Sequence, residues 1–124
     1  MKKAVIYTCH LEGRMPNNEM QTQLCKEYAQ QNGIEIVGNY MDCVSTKRKP
    51  LLMKQQLLKD CKQRHWDMVL FYSLTILGRN IHDAMRFLSE LSDYVDYKAI
   101  DQERDELLRE IGKLLKDLYK EGRL

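Results

Sequence analysis

The chain has 124 residues, a length that fits one globular domain with its own core and excludes two domains of ordinary size. Apolar residues make up 44% and charged residues 31% of it, which excludes a disordered chain and a membrane protein. The net charge of +2 is small for a dedicated nucleic-acid binder. Contact with DNA is therefore expected to be weak, through a local basic patch or another subunit.

The chain carries no pattern that points to secretion, a membrane or a metal. Its amino terminus lacks the apolar segment of a signal peptide, and no apolar run is long enough to cross a bilayer. We therefore expect a cytoplasmic protein with free thiols and no membrane partner. The cysteines and histidines lack the spacing of zinc ligands, so no metal and no other cofactor is expected. The four cysteines are Cys9, Cys25, Cys43 and Cys61.

The chain opens with a predicted strand, loop and helix. Residues 4–8 are rich in β-branched and aromatic side chains, which predicts a buried strand that runs into a polar turn at residues 8–11. Helical spacing then predicts a first helix over residues 18–31, with an asparagine in the N-cap position and a stop at Asn32-Gly33. The expected apolar face of that helix consists of Met20, Leu24, Tyr28 and Ala29.

A second strand, loop and helix follow. Residues 34–37 alternate apolar and polar side chains and predict a strand, which continues through residues 40–41 after a kink at Gly38. Residues 42–49 are polar and predict an exposed loop, with a basic run at residues 47–49 that is either a solvated surface or a contact to DNA phosphate. Pro50 suits the first turn of a second helix that runs to residue 63 or 64.

The third unit completes the pattern of a parallel sheet. Residues 68–72 form an apolar run that predicts a buried strand, residues 73–79 a connection, and residues 80–93 a third helix. Strands that alternate with helices predict an α/β domain of three layers, with a mostly parallel sheet of about four strands and helices on both faces. The carboxyl ends of the strands then meet at one rim, which is where we expect the site.

The last quarter of the chain is predicted to be an appendage of this domain. Residues 94–97 fit a short edge strand or a loop, so the domain is expected to cover residues 1–98 and a C-terminal helical segment residues 99–124. Its apolar residues have heptad-like spacing over residues 99–120. Two interpretations stay open: this helix packs back onto its own domain, or it joins the chain to a partner. The residues of the apolar seam are Leu107, Ile111, Leu114 and Leu118.

Three short strings within this order of elements carry a further pattern. YTCHL covers the end of the first strand and the turn after it, KP precedes the second helix, and SLTILGRN precedes the third. Over residues 3–91 their spacing resembles the catalytic domain of the serine recombinases, the resolvase and invertase family. That family has the corresponding patterns Y-x-R-x-S, R-P and K-L-D-R-L-x-R-N. The resemblance implies a resolvase-like fold, DNA as the substrate and a long helix that forms dimers.

The resemblance also places the family's active-site positions on this chain. Cys9 stands where the family has a phosphate-holding arginine, and Leu11 where it has the serine that attacks the DNA phosphodiester. Ile76 replaces a second arginine, Thr75 an aspartate and Ser73 a lysine. Lys49-Pro50 stands for the family's Arg-Pro. The family residues that this chain retains are Tyr7, Gln21, Asp42, Ser45, Leu77, Gly78, Arg79 and Asn80.

These replacements predict that the reaction is lost. Phosphoryl transfer needs an in-line nucleophile and several cations on the phosphate oxygens, and a leucine side chain has no lone pair with which to attack. The loss of one charge-stabilising donor costs about 10²–10³ in rate. We therefore expect an inactive recombinase-like domain that acts as an interaction or regulatory module, paired with a second copy or an active recombinase through residues 99–121. Arg79 and Lys49 remain as expected anion-binding residues.

Two other interpretations stay open. The chain is an active resolvase or invertase fragment that performs DNA strand exchange with another nucleophile, for which Cys9, Ser45 and Ser73 are the candidates. Alternatively it is a small-anion or nucleotide-binding α/β protein that uses Arg79 at the start of the third helix. Because no helix-turn-helix pattern follows the predicted terminal helix, we expect no DNA-binding domain in this chain.

Overall fold

The computed structural model describes residues 1–46 and 48–101, together with five residues near the carboxyl terminus. Within them, four parallel strands form one sheet in the order β2-β1-β3-β4, and helices cover both of its faces. The predicted α/β class is thereby confirmed. In chain order the elements are β1 (Lys2–Leu11), α1 (Asn18–Gln31), β2 (Ile34–Val44), α2 (Leu52–Cys61), β3 (Met68–Phe71), a 3₁₀ turn (Leu74–Ile76), α3 (Ile81–Leu91) and β4 (Asp96–Ala99).

The two faces of β1 build two separate cores. Successive side chains of a strand point to opposite faces, so Ala4 and Ile6 pack against α1, whereas Val5, Tyr7 and Cys9 pack against the side that α2 and α3 cover. β3 is buried along its whole length, as its uninterrupted apolar run predicts. Each fully buried aliphatic side chain contributes about 1.5–3 kcal/mol, which makes β1 and β3 the centre of the fold.

Helix α1 has the predicted bounds but turns a different face to the sheet. Met20 and Leu24 are exposed, at 45% and 37%, although both were expected in the core. The buried residues are Gln21, Cys25 and Ala29. The helix is rotated in this way because the amide of Gln21 bonds the backbone of β1, a requirement that apolar spacing does not reveal.

The strands at the site are longer than predicted, and the second helix is shorter. The polar turn expected at residues 8–11 is still strand, because β1 pairs with β2 as far as Leu11 and Val44. The kink predicted at Gly38 is present as a shift of register between Ala4 and Val5. Helix α2 begins at Leu52 instead of at the proline, and ends at Cys61 before the left-handed Arg64, with φ 57°.

The predicted start of the terminal helix at Ala99 is wrong. Ala99 is the last residue of β4, lies opposite Phe71 and is 3% exposed. Backbone pairing continues beyond it, since the N–H of Ile100 donates to the carbonyl of Phe71 at 2.8 Å. The rest of the predicted helix lies mostly outside the described residues, including Leu107 and Ile111. The residues described there, all helical, are Lys113, Leu114, Asp117, Leu118 and Lys120.

The described part of the chain has no helix long and apolar enough to cross a membrane.

Lys120 lies 4.0 Å from the Asp93 carboxylate, measured from Nζ to Oδ1. This exposed ion pair places Lys120 near the end of α3. Such a pair on a protein surface contributes about 0–1 kcal/mol.

Candidate functional site

A cleft of about 540 Å³ opens beyond the carboxyl ends of β1, β2 and β3. In parallel α/β sheets this edge is the usual place for a ligand, because loops and helix amino termini converge there. The expected rim therefore exists as a concave surface. The strand ends and the segment after β3 contribute Cys9, Leu11, Val44, Tyr72, Thr75 and Ile76 to its lining.

The charged side chains around the cleft are mostly cations. Asp83 is the one acidic residue among the described residues that line it. An excess of positive charge in a concave, partly desolvated surface raises the local concentration of anions. The cleft is thus suited to a phosphate or another anion. The cationic residues of its lining are Arg14, Arg48, Lys49, Lys54 and Arg79.

Tyr7 and Asp42 lie beneath the cleft and support it. The Tyr7 hydroxyl donates to Oδ2 of Asp42 at 2.8 Å, and both side chains are buried. Burial raises the pKa of Tyr7 far above its usual value, so its hydroxyl stays protonated. The Asp42 carboxylate also accepts the backbone N–H groups of Met53 and Lys54, each at 3.0 Å. Asp42 therefore caps α2 in place of Leu51, whose side chain makes no capping hydrogen bond.

Cys9 lies in the cleft wall as a protonated thiol. Its side chain is 7% exposed, and burial raises the pKa of the thiol. Its backbone N–H donates to Oε1 of Gln21 at 3.1 Å, and its carbonyl accepts Nε2 of Gln21 at 2.8 Å. A thiol becomes a good nucleophile when a cationic environment lowers its pKa, and here burial has the opposite effect. Leu11, two residues further on the same face, is partly buried and presents its aliphatic side chain to the cleft.

The segment after β3 supplies two hydroxyl groups, and they already form a hydrogen bond with each other. Ser73 is buried, and its Oγ accepts hydrogen bonds from the N–H of Thr75 at 3.3 Å and from the Thr75 hydroxyl at 3.2 Å. Ile76 is partly buried in the cleft wall. Ser45 is exposed at the end of β2 and does not line the cleft, so the structure does not bring it together with the other predicted site residues.

Arg79 is held at the cleft edge by the start of α3. Its Nε donates to Oδ2 of Asp83 at 3.0 Å, and this hydrogen bond lowers the pKa of the Asp83 carboxyl. Asn80 caps the helix by accepting the N–H of Asp83 at 2.9 Å. Gly78 allows the backbone before α3 to pass close to Asp83, because a Cβ at position 78 would lie 2.7 Å from Cβ of Asp83. Lys49 stands exposed on the opposite side of the cleft.

Lys54 is the site residue that the sequence analysis missed. It lies in the first turn of α2, and its Nζ donates to the carbonyl of Leu77 at 2.5 Å. Its ammonium group also lies 5.2 Å from the ring centroid of Phe87. Its three-residue spacing from Leu51 and Leu57 places it beside the apolar stripe of α2, which was the available signal.

The described residues contain no group of three or more His, Cys, Asp or Glu placed to hold a metal.

The fold and the cleft thus define an α/β domain with a basic surface at the carboxyl edge of a parallel sheet. The family model described as "Resolvase, N terminal domain" matches residues 14–121, and the chain belongs to this family. The match starts after Leu11, so membership depends on the remainder of the domain and not on the strand end at Cys9 and Leu11. No curated protein matches the chain.

Solved structures with the same fold include three recombinase domains. The N-terminal catalytic domain of TP901-1 integrase superimposes with a TM-score of 0.76 at 21% identity, covering 98% of this chain and 97% of that one. A resolvase family site-specific recombinase from Streptococcus pneumoniae gives 0.71 at 23%, covering 98% and 90%. The C-terminal catalytic domain of ISC1926 TnpA, an IS607-like serine recombinase, gives 0.63 at 22%, covering 88% and 77%. These similarities confirm the fold, and the chemistry has to be argued from this chain's own residues.

Proposed function

We propose that this chain is a resolvase-family domain that binds DNA without cutting it and acts as an interaction or regulatory module in DNA recombination. The observation that carries the proposal is Leu11, an aliphatic side chain in the wall of a basic cleft. At the family's nucleophile position it offers no atom that can attack phosphorus. The cleft thus keeps groups that attract a phosphate and lacks the group that would react with it.

Two other groups of the cleft, the Cys9 thiol and the Thr75 hydroxyl, do not replace the missing serine. Burial raises the pKa of the Cys9 thiol, and the Thr75 hydroxyl donates to Ser73. Tyr72 lines the cleft and has no hydrogen bond to its hydroxyl from the described residues. It is therefore the group that the test has to address as an alternative nucleophile.

The cleft also has fewer cations to stabilise the transition state than the family pattern has. The positions of two family arginines hold Cys9 and Ile76, neither of which can donate to a phosphate oxygen with a positive charge. Arg79 remains, and its guanidinium is already paired with Asp83. Each missing donor costs about 10²–10³ in rate, so the remaining cations favour binding over cleavage.

The regulatory part of the proposal concerns the carboxyl-terminal segment. The heptad-like spacing over residues 99–121 supports association with a second copy or with an active recombinase. Light scattering on the full chain and on a chain that ends at residue 101 tests this. We expect a dimer for the full chain and a monomer for the shortened one. A monomer in both cases, with no association with an active recombinase, would contradict the partner claim.

A covalent-adduct assay tests the loss of cleavage. The chain is incubated with a pool of nicked random-sequence DNA duplexes, and covalent protein–DNA species are separated under denaturing conditions. We expect none, whereas an active serine recombinase incubated with duplexes that carry its own site forms them. An adduct would overturn the proposal, and its absence in Tyr72→Phe or Cys9→Ala would identify the nucleophile.

A further inference from the structure

The ammonium group of Lys54 lies inside the cleft, away from the surface where most lysine side chains end. The residue is partly buried, and its ammonium nitrogen lies over the ring of Phe87, 5.2 Å from the centroid. An ammonium group has three donors, and Lys54 directs one of them to the carbonyl of Leu77. Two donors therefore remain for other acceptors.

The nearby carboxylates are engaged elsewhere. Asp42 accepts its three hydrogen bonds from Tyr7 and from the backbone N–H groups at the start of α2, and Asp83 is paired with Arg79. Among the described residues, no carboxylate oxygen lies within 4.0 Å of Nζ of Lys54. Burial lowers the pKa of Lys54, although the Asp83 carboxylate acts in the opposite direction. A partly desolvated cation without an ion pair is costly, and a bound anion would offset that cost.

Lys54 lines the same cleft as Cys9, the residue that stands where the family pattern has an arginine. The ammonium group of Lys54 acts against the effect of burial on the pKa of the Cys9 thiol. The cations nearer the rim are exposed, and among them Arg79 is held by Asp83. Among the cations of the cleft, Lys54 is thus the innermost one. It can reach a ligand that lies between the carboxyl end of β1 and the segment after β3.

We propose that Lys54 is the inner phosphate-binding residue of the cleft, with its ammonium group on a non-bridging oxygen of a phosphate while the rim cations Arg48, Lys49 and Arg79 attract the ligand. The inference rests on the proposed function in taking the DNA backbone as the source of that phosphate. A free phosphate or a nucleotide has the same chemistry, so both sources enter the test.

The matched variants are Lys54→Met, Lys54→Arg and Lys59→Met. Methionine keeps an unbranched apolar side chain of similar length and removes the charge, arginine keeps the charge, and Lys59 is an exposed lysine on the same helix. Affinity for a random-sequence duplex is measured by fluorescence anisotropy at several KCl concentrations. For each phosphate contact, the slope of log affinity against log salt changes by about 0.9.

We expect Lys54→Met to bind the duplex about tenfold more weakly, the size of one charged hydrogen bond, and with a slope smaller by about 0.9. Lys59→Met should retain the wild-type slope, and Lys54→Arg should retain most of it. A folded Lys54→Met chain with the wild-type slope would contradict Lys54 as a contact to DNA phosphate, because a structural role alone does not change the number of phosphates contacted. Circular dichroism establishes that each variant is folded.

Calorimetry with inorganic pyrophosphate separates the two sources. If pyrophosphate binding depends on Lys54 and duplex binding does not, the Lys54 site stands as a small-anion site and its assignment to DNA phosphate fails. A wild-type chain that binds no duplex contradicts the DNA part of the proposed function. If neither ligand depends on Lys54, the inference is overturned. If duplex binding depends on Lys54 and a covalent adduct forms, Lys54 stands and the proposed loss of cleavage fails.

Discussion

The Tyr7 hydroxyl and the Asp42 carboxylate form a buried hydrogen bond of 2.8 Å between neighbouring strands of the sheet. Through the same carboxylate, two backbone N–H groups attach the start of α2 to β2. The sequence resemblance matches both residues to the family pattern, and in this chain they have a clear structural task. They fix the helix that carries Lys54, so the shape of the cleft depends on them even without a reaction.

Replacing Asp42 should destabilise the domain. Asp42→Asn puts an amide donor where the carboxylate accepts from Tyr7, Met53 and Lys54, so at least one buried donor is left unsatisfied. We expect the free energy of unfolding to fall by about 1–3 kcal/mol. Urea denaturation measures it, with Glu35→Gln, an exposed carboxylate on the same strand, as the control. Equal stabilities of the two variants would contradict the assignment of Asp42 as the cap of α2.

Gln21 should be needed for the stability of the strand end. Gln21→Ala removes the amide that bonds both backbone groups of Cys9 and the carbonyl of Pro16, and these groups become buried without a partner. The expected cost is about 1–3 kcal/mol or more in the free energy of unfolding. Gln30→Ala, at an exposed position of the same helix, should change it by less than about 0.5 kcal/mol. A small effect at both positions would contradict this role of Gln21.

Under the proposed function, a serine hydroxyl at position 11 should not by itself give cleavage. Leu11→Ser places a hydroxyl in the cleft, but Cys9 and Ile76 still provide no positive charge, and two missing donors cost about 10⁴–10⁶ in rate together. We expect no covalent adduct with nicked duplexes from this variant on the time scale of an active recombinase. If Leu11→Ser forms an adduct at a comparable rate, the remaining cations are sufficient and the electrostatic argument is wrong.

The Arg79–Asp83 pair should be visible in the titration of Asp83. The hydrogen bond from Arg79 lowers the pKa of Asp83 in the folded state below that in the unfolded chain. The stability it contributes is therefore present above the ordinary aspartate pKa, about 3.9, and is lost as the pH falls through the lower folded value. In Arg79→Gln the pKa of Asp83 should rise, as measured by carboxyl NMR. Arg86→Gln, whose guanidinium contacts His82, should leave it unchanged.

Local signals predicted the elements of this fold but not their orientation in every case. The helix over residues 18–31 has the predicted bounds, yet its apolar residues Met20 and Leu24 are exposed and Gln21 is buried. Gln21 goes inside because the strand backbone needs its amide. No periodicity within the helix contains that information, since the partner lies twelve residues earlier in the chain.

The sequence by itself determined the alternation of strands and helices, the parallel sheet and the place of Cys9 and Leu11 at the rim where the carboxyl ends of the strands meet. Backbone preferences and apolar spacing are local properties, and they can be read from neighbouring residues. Only the tertiary structure decided that Asp42 caps α2 and that Lys54 points into the cleft. Those roles depend on contacts between residues 11 to 35 positions apart, which form only when the strands and helices pack together.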